Sequence, residues 1–513
     1  MSLLEFITIK ILLLFSVTSC FVVPIVLKSL PNKEIEKTSV KDFGAVGDGH
    51  KDDTKAIQAA INKVSRTGGG IVFLPSGTYK VSIDPSTSRA ITIYGKIKLQ
   101  GAGYQKSIIK LADYQGNYAA IMAGEAFASD LSGFAMYDLA IDGNAKKNPI
   151  KALADFDNEK RRFALRIYVG SGIHIERCRF TNHSSTDTVT TNGEAVSDIQ
   201  IKNNIFDLIG GDIIDYDHST VYAQGQRIQI SNNSFSSRNG PGTKGARTAI
   251  ETHGDDYLVT GNTISGYTNG IYVTGYARSS ERQIVTNNLI KNAYTGITLW
   301  SYFYPVKTSK PGLSDSRIIN NEISLDINGW RNLWGDSPSI GIGLESNSDA
   351  PIKNLYIVGN RIRFTNFRGV SGSSDNLASG ISFWRYAAPK INSENIYIFN
   401  NTIENSLASG LYIVMPIKAG RILQNTIINP GQSQRPFHKD YRSAVILGGL
   451  FEDVQINSNF LIDNQKINTM TAGIVSYADC VANCEVKENS LQIANGAVLE
   501  IFRPKSGMRN AFD

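Results

Sequence analysis

Two hydrophobic rhythms run along the chain. Ala56, Ile57, Ala60, Ile61 and Val64 recur at helical spacing between Asp52-Asp53-Thr54 and Gly68-Gly69-Gly70, predicting an N-capped amphipathic helix with one apolar stripe. Nothing local can bury that stripe, so the helix is expected to cover the open end of the strand-rich body after it. From about Ile97 onward the period falls to two. A unit apolar-x-apolar-x-Asn-Asn-x-apolar recurs with variations at 199–206, 228–235, 258–264, 284–290, 318–323, 355–362, 396–403, 422–427, 454–460 and 486–491. Asn204, Asn233, Asn262 and Asn288 succeed one another at 29, 29 and 26 residues, within the range of stacked solenoid units. Between these units lies a second strand signal, as in Gly270-Ile271-Tyr272-Val273, Gly296-Ile297-Thr298-Leu299, Gly380-Ile381-Ser382-Phe383 and Gly410-Leu411-Tyr412-Ile413.

Alternation inside a longer repeat is what a parallel β-helix requires: each coil turns alternate apolar residues inward and coils stack at about 4.8 Å. The recurring Asn is expected to form an internal ladder along the axis. The predicted fold is all-β, a right-handed parallel β-helix with a short N-terminal capping α-helix. Interruptions at 142–163, 302–315, 328–339, 370–378 and 430–442 read as projecting loops, which in such folds build a groove on one flank.

At 513 residues, 42% hydrophobic and 19% charged, the chain has the balance of a folded protein. Its formal net charge of +6 is mild for this length, and no Lys/Arg block is dense enough for a nucleic-acid groove. The sign suits an acidic polymer such as a uronic-acid polysaccharide. The stretch 11–27 is apolar or small, and Val17-Thr18-Ser19-Cys20 resembles a bacterial lipoprotein cleavage site, with Cys20 as the acylated residue. An uncleaved anchor helix is the alternative, although the run is short for a span and holds Pro24. Either way the body is expected to be extracytoplasmic, either membrane-tethered or secreted. The organisation is then an export or anchor segment at 1–28, a linker at 29–39, the β-helix at 40–505 and a tail at 506–513. Cys480 and Cys484 are placed for a small loop disulfide in an oxidising compartment, and Cys178 reads as a buried free thiol. No Cys/His spacing matches a metal site, so no cofactor is expected; bound Ca²⁺ and oligomeric state lie beyond the sequence.

Asp42-Phe43-Gly44-Ala45, Gly47-Asp48-Gly49, Asp52-Asp53-Thr54, the helix and Gly68-Gly69-Gly70 to Tyr79 together resemble the N-terminal cap and first coil of the pectate-lyase-like right-handed β-helix superfamily. Polygalacturonase relatives, uronan epimerases, phage tailspikes and several lyases share that opening, so the resemblance implies the fold and leaves the reaction open. Gly101-Ala102-Gly103 through Leu111, and Phe134 through Asn144, look like the early coils of mannuronan C5-epimerase modules, and Asp215-Tyr216 is similar to an acidic pair in their active-site coil. Where those modules carry Tyr-Gly-Phe-Asp-Pro-His, the tract 183–192 offers only Asp187 among Ser and Thr, so their catalytic His has no counterpart here.

The chemistry-bearing stretch is Arg247-Thr248-Ala249-Ile250-Glu251-Thr252-His253. With Ile250 and Thr252 inward, Glu251 and His253 face out, and Arg247 stands near the strand's start. Aligning Ile214 with Ile250 sets Asp215 beside Glu251 and Asp217 beside His253 one rung away, giving a four-residue catalytic candidate. Two such carboxyls fit glycosidic hydrolysis. Arg247 neutralising a uronate while His253 or Tyr216 takes the neighbouring proton fits β-elimination or C5-epimerisation. Tyr272, Trp300 and Trp384 share the outward phase and are candidate sugar platforms. Gly254-Asp255-Asp256 reads as a turn. The leading expectation is cleavage of an acidic polysaccharide by β-elimination or hydrolysis. The alternatives are a non-catalytic glycan-binding or surface-structural β-helix, and a uronan C5-epimerase.

Overall fold

A computed structural model describes residues 37–126, 128–149, 161–184, 186–210, 219–237, 247–275, 280–301, 312–334, 337–346, 352–369, 372–385, 393–494 and 502–504. Cys20 with the export segment, the tail 506–513, and Asp215, Tyr216 and Asp217 lie outside the described residues.

The strands pair in parallel throughout, apart from one isolated antiparallel bridge between Asp84 and Arg89, and each coil contributes up to three of them. One series of fifteen, from Asp48–Asp52 to Ser490–Ile493, forms its own sheet. The other two series share a sheet of thirty-one strands, fused where the thirteen-residue strand Ser219–Ser231 runs through a corner at Gly225. Fifteen rungs at about 4.8 Å give a body roughly 67 Å long. This is the parallel β-helix the alternation predicts. Its core is the inward set of Ile, Val and Leu, in register from coil to coil: Ile199, Ile228 and Ile201, Ile230, Val259, Val285 and Ile318 are all essentially inaccessible.

The recurring asparagine builds the expected ladder. Asn204 Nδ2 and its own backbone N–H both donate to Asn233 Oδ1, at 3.0 and 2.9 Å, while Nδ2 also donates to Ile175 O at 2.9 Å. The same three bonds recur at Asn233, Asn262, Asn288, Asn321, Asn360, Asn401 and Asn425, ending through Asn459 on Asn489. Cys178 is the free, buried thiol expected, and it heads the column, its N–H donating to Asn204 Oδ1 at 2.9 Å. The residue before each ladder Asn has positive φ, as at Asn203, Asn232, Gly261, Asn287 and Asn320. Asn and Gly tolerate that conformation best, which explains the Asn-Asn and Gly-Asn pairs in the sequence.

The predicted helix spans Thr54–Arg66 and buries Ile57, Ala60, Ile61 and Val64 against the first coils. Its capping differs from expectation. Asp53 makes no side-chain cap bond; its carboxylate is buried and accepts from Val46 N and Gly47 N instead, tying the turn-rich opening to the helix start. Asp52 accepts from Thr54 N in its place. The insertion expected as a loop at 328–339 holds a second helix, Ile327–Trp334, started by Asp326 Oδ1 accepting from Gly329 N and anchored by buried Trp330 donating to Asn292 O. Cys480 and Cys484 are disulfide-bonded.

Replacing one ladder residue, Asn262→Ala, removes the acceptor for two Asn233 donors and two donors of its own, leaving buried polar groups unpaired. A loss on the order of 3 kcal/mol is expected. Guanidinium unfolding should register it as a lower midpoint, and a midpoint equal to wild type would show that the ladder carries no stability.

Candidate active site

The stretch singled out in the sequence forms the strand Thr248–Asp255, and its phase is the expected one. Ile250 and Thr252 point into the core, in register with Ile271 and Val273, so Glu251 and His253 face outward. Gly254 and Asp255 belong to this strand, and the turn is confined to Asp256, at positive φ, where Arg282 from the next coil clasps its carboxylate at 2.6 Å.

The strand one coil earlier corrects the expected neighbours. Val221 pairs with Ile250, Tyr222 with Glu251 and Gln224 with His253. That strand begins at Ser219, so the residues beside Glu251 and His253 are Tyr222 and Gln224, and the alignment of Ile214 with Ile250 does not hold. The physical reason is continuity. Ser219–Ser231 is one strand leading straight to Asn233, so the 29 residues between the ladder positions Asn233 and Asn262 also separate Val221 from Ile250.

Glu251 and His253 are themselves bonded. His253 Nε2 lies 2.9 Å from Glu251 Oε1, with side-chain exposures of only 12% and 14%. Ser219 Oγ donates to the other carboxylate oxygen. Burial pushes the Glu251 carboxyl up, but the His253 hydrogen bond and charge, the Ser219 hydroxyl and the Arg247 charge outweigh it and leave the group below the ordinary glutamate range. On the far side of the imidazole, Thr274 Oγ1 sits 2.6 Å from Nδ1 and 2.9 Å from Thr252 O. A hydroxyl has one proton. Given to the Thr252 carbonyl, which can only accept, it makes Oγ1 the acceptor for Nδ1–H, and Nε2 and Oε1 then hold one proton between them. The Tyr222 ring lies against the imidazole at 4.7 Å between centroids. A nucleophilic serine needs the imidazole as its base; here the carboxylate stands between Ser219 and His253, so Ser219 orients Glu251 rather than attacking substrate.

A groove of about 700 Å³ opens over this face. It gathers Arg247, Glu251, Tyr272, Trp300 and Trp384, five of the residues the sequence proposes, along five consecutive rungs. His253 backs the groove through Glu251. Tyr294 and the Ser337-Pro338 turn beyond the second helix wall one side, held by Tyr294 Oη donating to Ser337 O. Glu345, which the sequence did not single out, also lines it, one rung from Trp300 and one from Trp384. Its signal was present: Gly341-Ile342-Gly343-Leu344 repeats the Gly-apolar strand pattern, and carrying the phase forward points Glu345 outward. Among the described residues no His/Cys/Asp/Glu group could hold a metal ion.

The family model described as rhamnogalacturonase A/epimerase, pectate lyase-like, matches residues 37–272, the cap and first half of the solenoid. The chain is a parallel β-helix whose cap and first coils are pectate-lyase-like. A mannuronan C5-epimerase of Azotobacter vinelandii is 45% identical over 108 residues, 21% of this chain and 6% of that protein. Alginate lyase 7 of the same organism is 34% identical over 173 residues, 31% of this chain and 19% of that protein. The chain thus spans less than a fifth of these relatives' own length. Among solved structures, the tailspike protein of E. coli bacteriophage HK620 in complex with a pentasaccharide superposes with a TM-score of 0.62 at 16% identity, covering 89% of this chain and 78% of that one. At that identity the likeness is one of fold. In this pectate-lyase-like solenoid the groove and the Glu251–His253 pair occupy the second half of the matched segment and the coils beyond it.

Because the folded Glu251 carboxyl titrates below its unfolded value of about 4.3, its ionised form stabilises the protein fully above that pH, and the contribution is lost as pH falls through the lowered folded value. Glu251→Gln should therefore lower the melting temperature at pH 7, and the gap from wild type should shrink as the pH falls below the unfolded value. A pH-independent gap would mean the ionised carboxylate is not what matters.

Proposed function

We propose that this protein modifies an acidic, uronic-acid polysaccharide laid along the groove, by removing the proton next to the uronate carboxyl. The observation that carries the reading is the groove itself. It places a guanidinium, Arg247, beside a carboxylate–imidazole pair, Glu251–His253, and continues into three aromatic side chains. Proton abstraction at C5 needs the substrate carboxylate neutralised and a base within reach of the C5 proton. Arg247 meets the first need. The Glu251–His253 pair meets the second, with Thr274 and Tyr222 fixing the ring. Tyr272, Trp300 and Trp384 give flat faces for neighbouring sugar rings. The step is shared by β-elimination, which breaks the glycosidic bond, and epimerisation, which returns a proton to the opposite face. The epimerases and the alginate lyase among the relatives carry out those two outcomes by name.

Hydrolysis ranks behind it. Among the described residues, Glu251 and Glu345 are the two carboxylates lining the groove, and their strands stand three rungs apart, roughly 14 Å along the axis, whereas glycosidases hold their carboxyls at about 5 to 9.5 Å. An extracytoplasmic, tethered or secreted location goes with this reading, and the Cys480–Cys484 disulfide supports an oxidising compartment.

Incubation with polyuronates in D₂O tests the shared step. Epimerisation should carry deuterium into C5 of the product, whereas elimination, which leaves C5 without a hydrogen, should instead yield ultraviolet-absorbing unsaturated ends. Glu251→Gln and His253→Ala should each lower the rate by about 10²-fold or more, on the order expected of an acid–base group. New reducing ends with no deuterium and no unsaturation would replace the proposal with hydrolysis.

A further inference from the structure

The groove stops on one side. Its outward column runs Glu251, Tyr272, Thr298, Gly343, each one rung beyond the last, and continues through Ser382, Tyr412, Ile446 and Val475. The first four line the groove. The last four point to the same side of the sheet and are all buried, Tyr412 at 2% exposure and Val475 at 0%. The column is part-exposed at Glu251 and Tyr272, narrows at Thr298 and Gly343, and is covered from the Ser382 rung onward; Trp384, on that same rung, is the last of the described groove residues.

The cover consists of segments of two insertions from separate coils, 372–380 and 429–444. They are fastened together by Ser433 Oγ donating to the buried Asp375 carboxylate at 2.6 Å. Tyr441 lies over the Tyr412 ring at 6.3 Å, and Phe437 meets Tyr441 edge-on at 6.0 Å. Arg442 sits against the Phe437 ring and donates to Ser433 O and Arg435 O, closing the loop on itself. Asp440, buried behind the ring cluster, accepts from Tyr477 Oη on the next coil. Rings packed on rings, a buried carboxylate on each insertion and bonds to the sheet beneath make this a fixed wall.

We infer that the wall makes this protein recognise the end of a polysaccharide chain rather than its interior. The inference rests on the polysaccharide reading of the groove. A polymer lying along five rungs of the sheet meets the Phe437–Tyr441 wall just past Trp384, so a chain passing through at both ends does not fit, whereas a terminus fits against the wall with the preceding sugars over Trp300 and Tyr272. Each chain then offers one binding end in the required direction, whatever its length.

Binding of length-graded oligosaccharides by calorimetry tests this on the wild-type protein, with one polyuronate series and one neutral series. For whichever series binds, the dissociation constant per mole of chain should stay the same between a short oligomer that fills the groove and one ten times longer. A tenfold tightening per chain over that range would show interior binding and overturn the inference. Binding confined to the neutral series would reject the acidic substrate and still decide the question of ends, and failure of both series to bind would overturn both readings. In Phe437→Ala/Tyr441→Ala, affinity per chain should begin to rise with length. A double variant with native circular dichroism and the same length independence would show that the wall does not select chain ends.

Discussion

From Asn204 to Asn489, one asparagine per coil holds the solenoid in register. Its amide oxygen accepts two N–H groups from the coil before, and its Nδ2 donates to a strand carbonyl of that same coil and to the next amide oxygen, so each of its polar atoms is used and every bond ties one rung to another. In a buried position a missing partner costs more than a made bond gains, so a slip of even one residue is penalised along the whole column. The positive φ of the preceding residue turns the chain at the same point in each coil and delivers the next strand to the same place. A period-two strand has no other means of telling one inward residue from the next, and register here is therefore a property of the corner.

The outward face inherits that order. Glu251 meets Tyr272 because both strands are counted from asparagines of one column, and Trp300, Glu345 and Trp384 share a second outward column for the same reason. A sheet this regular offers flat rows, however, and rows alone do not make a site. The insertions add what the repeat lacks: depth from the turn after the second helix, and an end from the clasped segments at Asp375 and Ser433. The Glu251–His253 pair combines the two contributions. The strand supplies the spacing of two residues, and Ser219 and Thr274 from adjacent rungs hold the carboxylate and the ring. A largely buried pair of this kind contributes more to geometry than to stability, since desolvation offsets much of its attraction.

The sequence by itself determined the solenoid, the asparagine column, the capping helix, the Cys480–Cys484 bridge and the outward phase of Glu251, His253, Tyr272, Trp300 and Trp384. All of these stem from local periodicity or from a residue type that only one backbone conformation favours. It did not determine which strand lies next to Glu251. Gly211-Asp212-Ile213-Ile214 imitates the Gly-apolar strand signal, while the true neighbour, from Ser219, lacks the leading Gly, and no local pattern separates the two; only the uninterrupted run from Ser219 to Asn233 does. The helix at Ile327–Trp334, the place of Glu345 in the groove and the wall of Phe437 and Tyr441 were likewise decided by tertiary structure. Insertions escape the repeat that makes the rest predictable, and what they cover is fixed by contacts between residues far apart in the chain.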